Sequence, residues 1–256
     1  LAPERQPGMM SIEGRYASFL VEPKGEWKTG VYTIRLETAD GISNVQLFSI
    51  GDFPELTESE ASPGARPAMN DSIESAESLP ASAVTVTGTL RGPERDFYRV
   101  QGKLGERRVI ELEGRRIGSA IDPVLRVYDA SGKQLAKSED HALLGLDARV
   151  DLKFPRDGYY YIEVHDARFS NQTANFYRLK TGVYDYPTDL YPLGGQRGQA
   201  VDVSLGAAAP VKVDLAKAEA GKRLSSVALP NSPSLPLAFD VGDFPEVREP
   251  VASPLA

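Results

Sequence analysis

No window of about eleven residues in this chain holds the 3.6-residue period of an amphipathic helix, whereas short alternating runs closed by turn residues recur throughout. In residues 31–36, Tyr32, Ile34 and Leu36 share one face, and Asp40-Gly41 supplies the turn before residues 45–50. Val84 and Val86 alternate with Thr85 and Thr87, and residues 97–100 and 108–113 continue in that style. Residues 124–128 stop at Asp129-Ala130-Ser131-Gly132. Phe154 then leads through Pro155-Arg156-Asp157-Gly158 into residues 159–164, the strongest strand of the chain. This patterning excludes a helical domain and predicts an all-β fold of sandwich or jelly-roll type. Glycine and proline, about one residue in six, agree with a turn-rich chain.

Composition removes several kinds of chemistry. There is no cysteine, which excludes disulfides, thiol catalysis and thiolate zinc sites. Only two histidines are present, leaving little room for histidine-rich metal sites. The formal charge of −7, from 29 basic and 36 acidic residues, argues against nucleic acid or an anionic membrane surface as the main partner. No stretch approaches the roughly 18–20 apolar residues of a membrane span. The opening residues lack the basic start and apolar core of a signal peptide, and a chain starting at Leu1 reads as a piece of a longer one.

Residues 55–78 hold almost no large apolar side chains but six acids, so they read as a linker. A weaker break falls at residues 183–198, and the last eight residues read as another linker. Around these breaks lies an internal echo. Phe48-Ser49-Ile50-Gly51-Asp52-Phe53-Pro54-Glu55 recurs as Phe239-Asp240-Val241-Gly242-Asp243-Phe244-Pro245-Glu246, and the same offset of 191 residues pairs Gly30 with Gly221 and Glu58 with Glu249. The expected organisation is an Ig-like β module at residues 1–57, a linker at 58–78, a β-sandwich at 79–183 and a second Ig-like module at 184–256. The two outer pieces either form separate modules, the first of them truncated, or pair into one discontinuous domain.

The middle segment carries a set of specific stretches: Asn70-Asp71-Ser72, Val86-Thr87-Gly88, Asp96-Phe97-Tyr98-Arg99-Val100, Gly105 with Val109-Ile110-Glu111-Leu112, Gly118-Ser119-Ala120-Ile121-Asp122-Pro123-Val124-Leu125-Arg126-Val127-Tyr128-Asp129, and Phe154-Pro155-Arg156-Asp157-Gly158-Tyr159-Tyr160-Tyr161-Ile162-Glu163-Val164. On these, residues 66–183 resemble the bacterial pre-peptidase C-terminal domain, and the flanks resemble Ig-like modules of large secreted bacterial proteins. The resemblance implies a jelly-roll-like β-sandwich of about eight strands and a non-catalytic accessory role in exported enzymes, sometimes engaging protein or polysaccharide. Related collagen-binding domains hold calcium near their N-terminal linker. This chain departs from the pattern there: Ala68-Met69-Asn70-Asp71 stands where Glu-Pro-Asn-Asp is expected, which weakens that site.

Three sets of residues invite a functional reading. Asp140-His141 and His165-Asp166 are histidine–acid neighbours, but no nucleophile elbow of the Gly-x-Ser-x-Gly kind accompanies them, and no catalytic residue is expected. Glu139, Asp140 and Asp147, with Asp122 near in space, offer hard oxygen ligands for calcium; solvated strand faces explain the same acids. In residues 159–165, period two sends Tyr160, Ile162 and Val164 to the core and leaves Tyr159, Tyr161, Glu163 and His165 on an outer face. Exposed tyrosines beside polar groups suit stacking on sugar rings or gripping a protein chain. Tyr128, Phe169, Phe176 and Tyr177 extend that face, unless a neighbouring element covers it. Tyr184, Tyr186 and Tyr191 are expected to pack the connector, and Trp27 to lie in the core or rim of the first module. The expectation is an extracellular or periplasmic accessory module that docks to polysaccharide or protein or positions a neighbouring domain. The alternative is a spacer with no ligand.

Overall fold

The computed structural model describes residues 12–13, 16–17, 25–59, 70–170, 175–206, 209–218 and 224–247. Its centre is a sandwich of two five-stranded sheets. One runs in the order Gln134–Ser138, Pro123–Asp129, Gly158–Asp166, Arg95–Gly102, Glu77–Ser78. The other runs Ala148–Lys153, Arg107–Glu113, Phe176–Gly182, Val84–Thr89, Glu55–Thr57. From Val84–Thr89 onward, successive strands alternate between sheets except at the Pro123–Asp129/Gln134–Ser138 hairpin, which is the winding of a jelly roll. The expected all-β sandwich is what the chain forms.

Period two explains the core. Tyr98 and Val100, Leu125 and Val127, and Tyr160, Ile162 and Val164 from one sheet meet Val84 and Val86, Ile110 and Leu112, and Tyr177 and Leu179 from the other. Phe154 stacks on Tyr160 with ring centroids 4.1 Å apart. Gly102 is needed beneath it, because a Cβ there would lie 2.2 Å from the Phe154 ring.

The boundary at the supposed linker moves. Glu55–Thr57 adds an edge strand parallel to Val84–Thr89, with Glu55 opposite Thr85 and Thr57 opposite Thr87. Glu58 and Asn70 are buried inside the sandwich, and Glu77–Ser78 pairs with Tyr98 and Arg99 in the opposite sheet. An acid-rich segment with little apolar area is held here by borrowed sheet edges and one buried carboxylate, so the described parts of the 58–78 linker belong to the sandwich.

The second outer module has its own core, built on Val203, Leu205, Leu215, Val227, Leu237, Phe239 and Val241. Its strands are Gly194–Gln196, Leu237–Gly242 and Leu224–Val227 in one sheet, with the hairpin Ala200–Val203/Val211–Asp214 beside it. Leu144, from a loop of the sandwich, is buried in this core. The first module contributes the hairpin Gly30–Ile34/Gln46–Ile50, on which Phe48 remains 37% exposed although its echo Phe239 is buried. Trp27 lies at the rim, 5.0 Å from Tyr32. Among the described residues no sheet joins the two outer pieces. The echo also carries a two-residue slip. Phe48 pairs across from Tyr32 but Phe239 from Ser225, not from residue 223 as an ungapped repeat requires.

The outer face of the second sheet is charged and covered. Glu113 takes Lys180 Nζ at 2.5 Å and Arg178 Nη1 at 2.7 Å, and Lys180 also donates to the Pro233 carbonyl of the second module at 2.6 Å. Glu111 receives Arg149 and Arg116. Tyr184 fills the junction, edge-on to Phe53 with centroids 5.5 Å apart.

Candidate functional site

The outer face of the other sheet is exposed at its Tyr159 end. Strand register sets Arg99 opposite Tyr161, which faces Tyr128, while Arg126 and Phe97 flank Glu163, and Gln101 pairs with Tyr159. Tyr159 is 49% exposed, with the Arg99 guanidinium 4.9 Å from its ring centroid. Arg99 also donates to Ser78 Oγ at 2.7 Å, which fixes its plane across the strands. The Nε atoms of Arg99 and Arg126 are buried without a hydrogen-bond partner. Tyr161, Tyr128 and Arg126 are half-buried at the same surface.

Glu163 and His165 do not share that exposure. Asp166 accepts the backbone N–H groups of Asp122, Arg168 and Ser170, and with Ser170 Oγ it folds residues 167–170 back over the strand end. Phe169 then stacks on His165 at 5.5 Å, and Arg95 lies over Phe169 at 5.7 Å. The result is a buried carboxylate. Glu163 accepts Tyr128 OH at 2.5 Å and Arg95 Nη1 at 3.3 Å, with Arg126 Nη1 at 3.6 Å. His165 Nδ1 is 2.9 Å away but off the line of a hydrogen bond. Burial pushes the Glu163 carboxyl up, but the adjacent His165 ring, the Tyr128 hydroxyl and Arg126 outweigh it and hold the pKa below the usual range. Of the four predicted face residues, Tyr159 and Tyr161 present themselves to solvent, while Glu163 and His165 organise the surface from beneath.

The predicted calcium set is not brought together. Asp147 is buried and accepts the N–H groups of Gly114 and Arg115 at 3.0 and 2.7 Å and Arg116 Nε at 2.7 Å, so its carboxylate caps the 115–117 turn. Glu139 pairs with Lys137, Asp140 is exposed at a left-handed φ of 49°, and Asp122 lies by Arg168. The loop's apolar residues decide its role, since Leu144 anchors it in the second module. His141 Nδ1 accepts the Leu143 N–H within that loop.

A different acidic cluster forms at the sandwich entrance. Ligand oxygens of Asp71, Glu94 and Asp96 lie within 4.8 Å of one another. Asp96 points inward because period two places it on the core face with Tyr98 and Val100. Beside it, Glu58 accepts Asn70 Nδ2 at 3.2 Å, the Thr89 N–H at 3.1 Å and the hydroxyls of Tyr98 and Tyr177 at 3.2 and 3.3 Å. Tyr177 OH donates to Asp96 Oδ2 at 2.5 Å. Burial, and next the charge of Glu58, push the Asp96 pKa up to about 10; burial also raises that of Glu58. Asp96 Oδ1 and Asn70 Oδ1 are buried and unpartnered, which is the donor set a hard cation asks for.

The sequence patterns that contain Glu58 and Asp96 assign neither of them a ligand role. The signals were the Glu58/Glu249 echo and the inward phase of Asp96.

No protein-family model matches the chain. Over 98 residues it is 34% identical to a probable subtilase-type serine protease of Deinococcus radiodurans, a match that takes in 37% of this chain and 13% of that protein's length. Among solved structures, the pre-peptidase C-terminal domain of a Bacillus anthracis collagenase aligns with a TM-score of 0.34 at 16% identity, covering 41% of this chain and 93% of that one. A periplasmic inhibitor of g-type lysozyme from Aeromonas hydrophila aligns with the same TM-score at 14% identity, covering 42% and 94%. On the residues quoted from its sequence, the middle sandwich is similar to the bacterial pre-peptidase C-terminal domain.

Proposed function

We propose that this chain is a non-catalytic accessory module of an exported bacterial protein, and that it docks to an acidic polysaccharide through the open sheet face. The observation that carries the reading is the Arg99–Tyr159 stack beside Tyr161, Tyr128 and Arg126, on a face where the Tyr159 ring stays exposed. Aromatic planes suit sugar rings, and guanidinium forks suit carboxylates. Arg95 and Arg126 pair with the one buried carboxylate of this face, Glu163, and Arg99 adds a third guanidinium beside Tyr159, on a chain whose net charge is −7. The protease relative supports an extracellular or periplasmic setting. The test is titration with a polyuronate and with a neutral glucan at low salt. Binding is expected for the polyuronate alone, weakened about tenfold or more by Arg99→Ala or Tyr159→Ala. Equal, salt-insensitive binding of both polymers would overturn the preference for an acidic polymer, and binding of neither would leave the spacer reading in place.

We further propose that a divalent cation bound by Asp71, Glu94 and Asp96 tunes the sandwich's stability. A carboxyl with a raised folded pKa contributes stability that is full below its unfolded pKa of about 4 and is lost as pH rises toward the folded value. In chelator, thermal stability is therefore expected to fall as pH climbs from about 4 to 9. Millimolar calcium should offset that fall, because a ligand that binds only the folded form stabilises it. Asp96→Asn should lose the calcium effect and flatten the fall with pH to the part that Glu58 contributes. A wild-type curve indifferent to calcium at every pH would sink the proposal.

A further inference from the structure

The segment that opens the sandwich is a docking strand with a side-chain code. Pro54 C=O accepts the Thr85 N–H at 2.9 Å, Glu55–Thr57 pairs along Thr85–Thr87, and the Glu58 N–H donates to Thr87 C=O at 2.9 Å. Phe53 packs against Tyr184, Glu55 pairs with Arg178, and Glu58 inserts its carboxylate between Tyr98 and Tyr177. Gly88 leaves the space for that insertion, since a Cβ there would meet the Tyr177 ring at 2.4 Å and Glu58 at 2.9 Å. Asp52 steadies the start of the segment by accepting Thr29 Oγ1 at 2.6 Å.

The second module ends in the same code. Residues 242–249 match residues 51–58 at every position but two, where Val247 and Arg248 stand for Leu56 and Thr57. The start is again steadied, here by Arg197 Nε donating to Asp243 at 2.6 Å. Beyond it the apolar residues stand exposed: Phe244 is 82% and Val247 92% exposed. A phenylalanine and a valine held out on either side of a proline and a glutamate form a ligand without its receptor.

We infer that Asp243–Val247 is an interaction strand whose partner is a second jelly-roll sandwich of the kind formed by residues 70–182. Each feature of the code has its counterpart in that receptor: a strand edge like Val84–Thr89 for the backbone, a cation like Arg178 for Glu246, an apolar junction like that at Tyr184 for Phe244, and a paired-tyrosine slot for a glutamate at the position of Glu249. The polypeptide is thereby a link: it receives one such strand and offers another.

The test uses the full chain with Phe53-Pro54-Glu55-Leu56-Thr57-Glu58 replaced by glycine and serine, which empties the slot. Two synthetic peptides are titrated into it, one spanning residues 49–60 and one spanning residues 240–251. Both are expected to bind and to raise Tm, with affinities within about tenfold of each other, and Phe244→Ser in the second peptide should weaken it by at least that factor. Binding of the first peptide without the second overturns the inference. If the emptied chain folds with neither peptide, Leu56→Val with Thr57→Arg in the otherwise intact chain decides, because residues 51–58 then carry the second code. A Tm closer to wild type than to Glu58→Gln supports the inference, and one closer to Glu58→Gln overturns it.

Discussion

Replacing Glu111 by glutamine is expected to lower the unfolding free energy by about 3–5 kcal/mol, because it strands a buried guanidinium. Glu111 is fully buried between the sandwich and the second module. It accepts Arg149 through Nε at 2.8 Å and Nη2 at 2.6 Å, and Arg116 Nη2 at 2.7 Å. Arg149 is itself buried, with its guanidinium 4.1 Å from the Tyr186 ring centroid, so it cannot turn to solvent for compensation. Burial pushes the Glu111 carboxyl up, but Arg116, Lys180 and Arg149 outweigh it and hold its pKa at about 2. A depressed folded pKa gives stability that is present above the unfolded value of about 4.3 and is lost as pH falls toward 2. The variant should therefore lose most at neutral pH and approach wild type in acid. Urea unfolding at pH 7 and pH 3 reads both, and a neutral-pH loss under about 1 kcal/mol would show that the network carries little net stability.

Leu125→Ala should cost about 2–5 kcal/mol, from lost transfer energy and the cavity left behind. Leu125 is fully buried on the strand Pro123–Asp129, opposite Val164 on one neighbour and Ser138 on the other. Its surroundings are strands bonded on both sides, so the site has little freedom to collapse. Leu144 and the Lys180–Pro233 bond tie the second module to the sandwich. The loss should therefore appear as a lower midpoint of one shared transition with its slope unchanged. Two separated transitions, with only one of them moved, would count against that coupling.

Alternation made the sandwich legible, because each buried strand reports its inward face every second residue; Tyr160, Ile162 and Val164 are where period two places them. What covers an outward face leaves no such trace. Glu111, Glu113, Arg178 and Lys180 alternate with core residues as solvated charges do, yet a neighbouring module lies over them. Period two sends Glu163 and His165 to the outer face, where the turn set by Asp166 and Phe169 buries them. The edge strand Glu55–Thr57 escaped notice because backbone pairing needs no apolar pattern. Leu143 and Leu144, two apolar residues in an acidic loop, are the sequence sign that this loop packs on the second core.

The chain enters the sandwich at Phe53 and leaves it at Tyr184, and those two rings touch. The first strand runs parallel to Val84–Thr89 and the last antiparallel to it, so both joints emerge at one pole. The sandwich is therefore a closed excursion of the chain, pendant on a single neck. Glu55–Arg178–Glu113–Lys180 is the clasp that keeps the pendant closed.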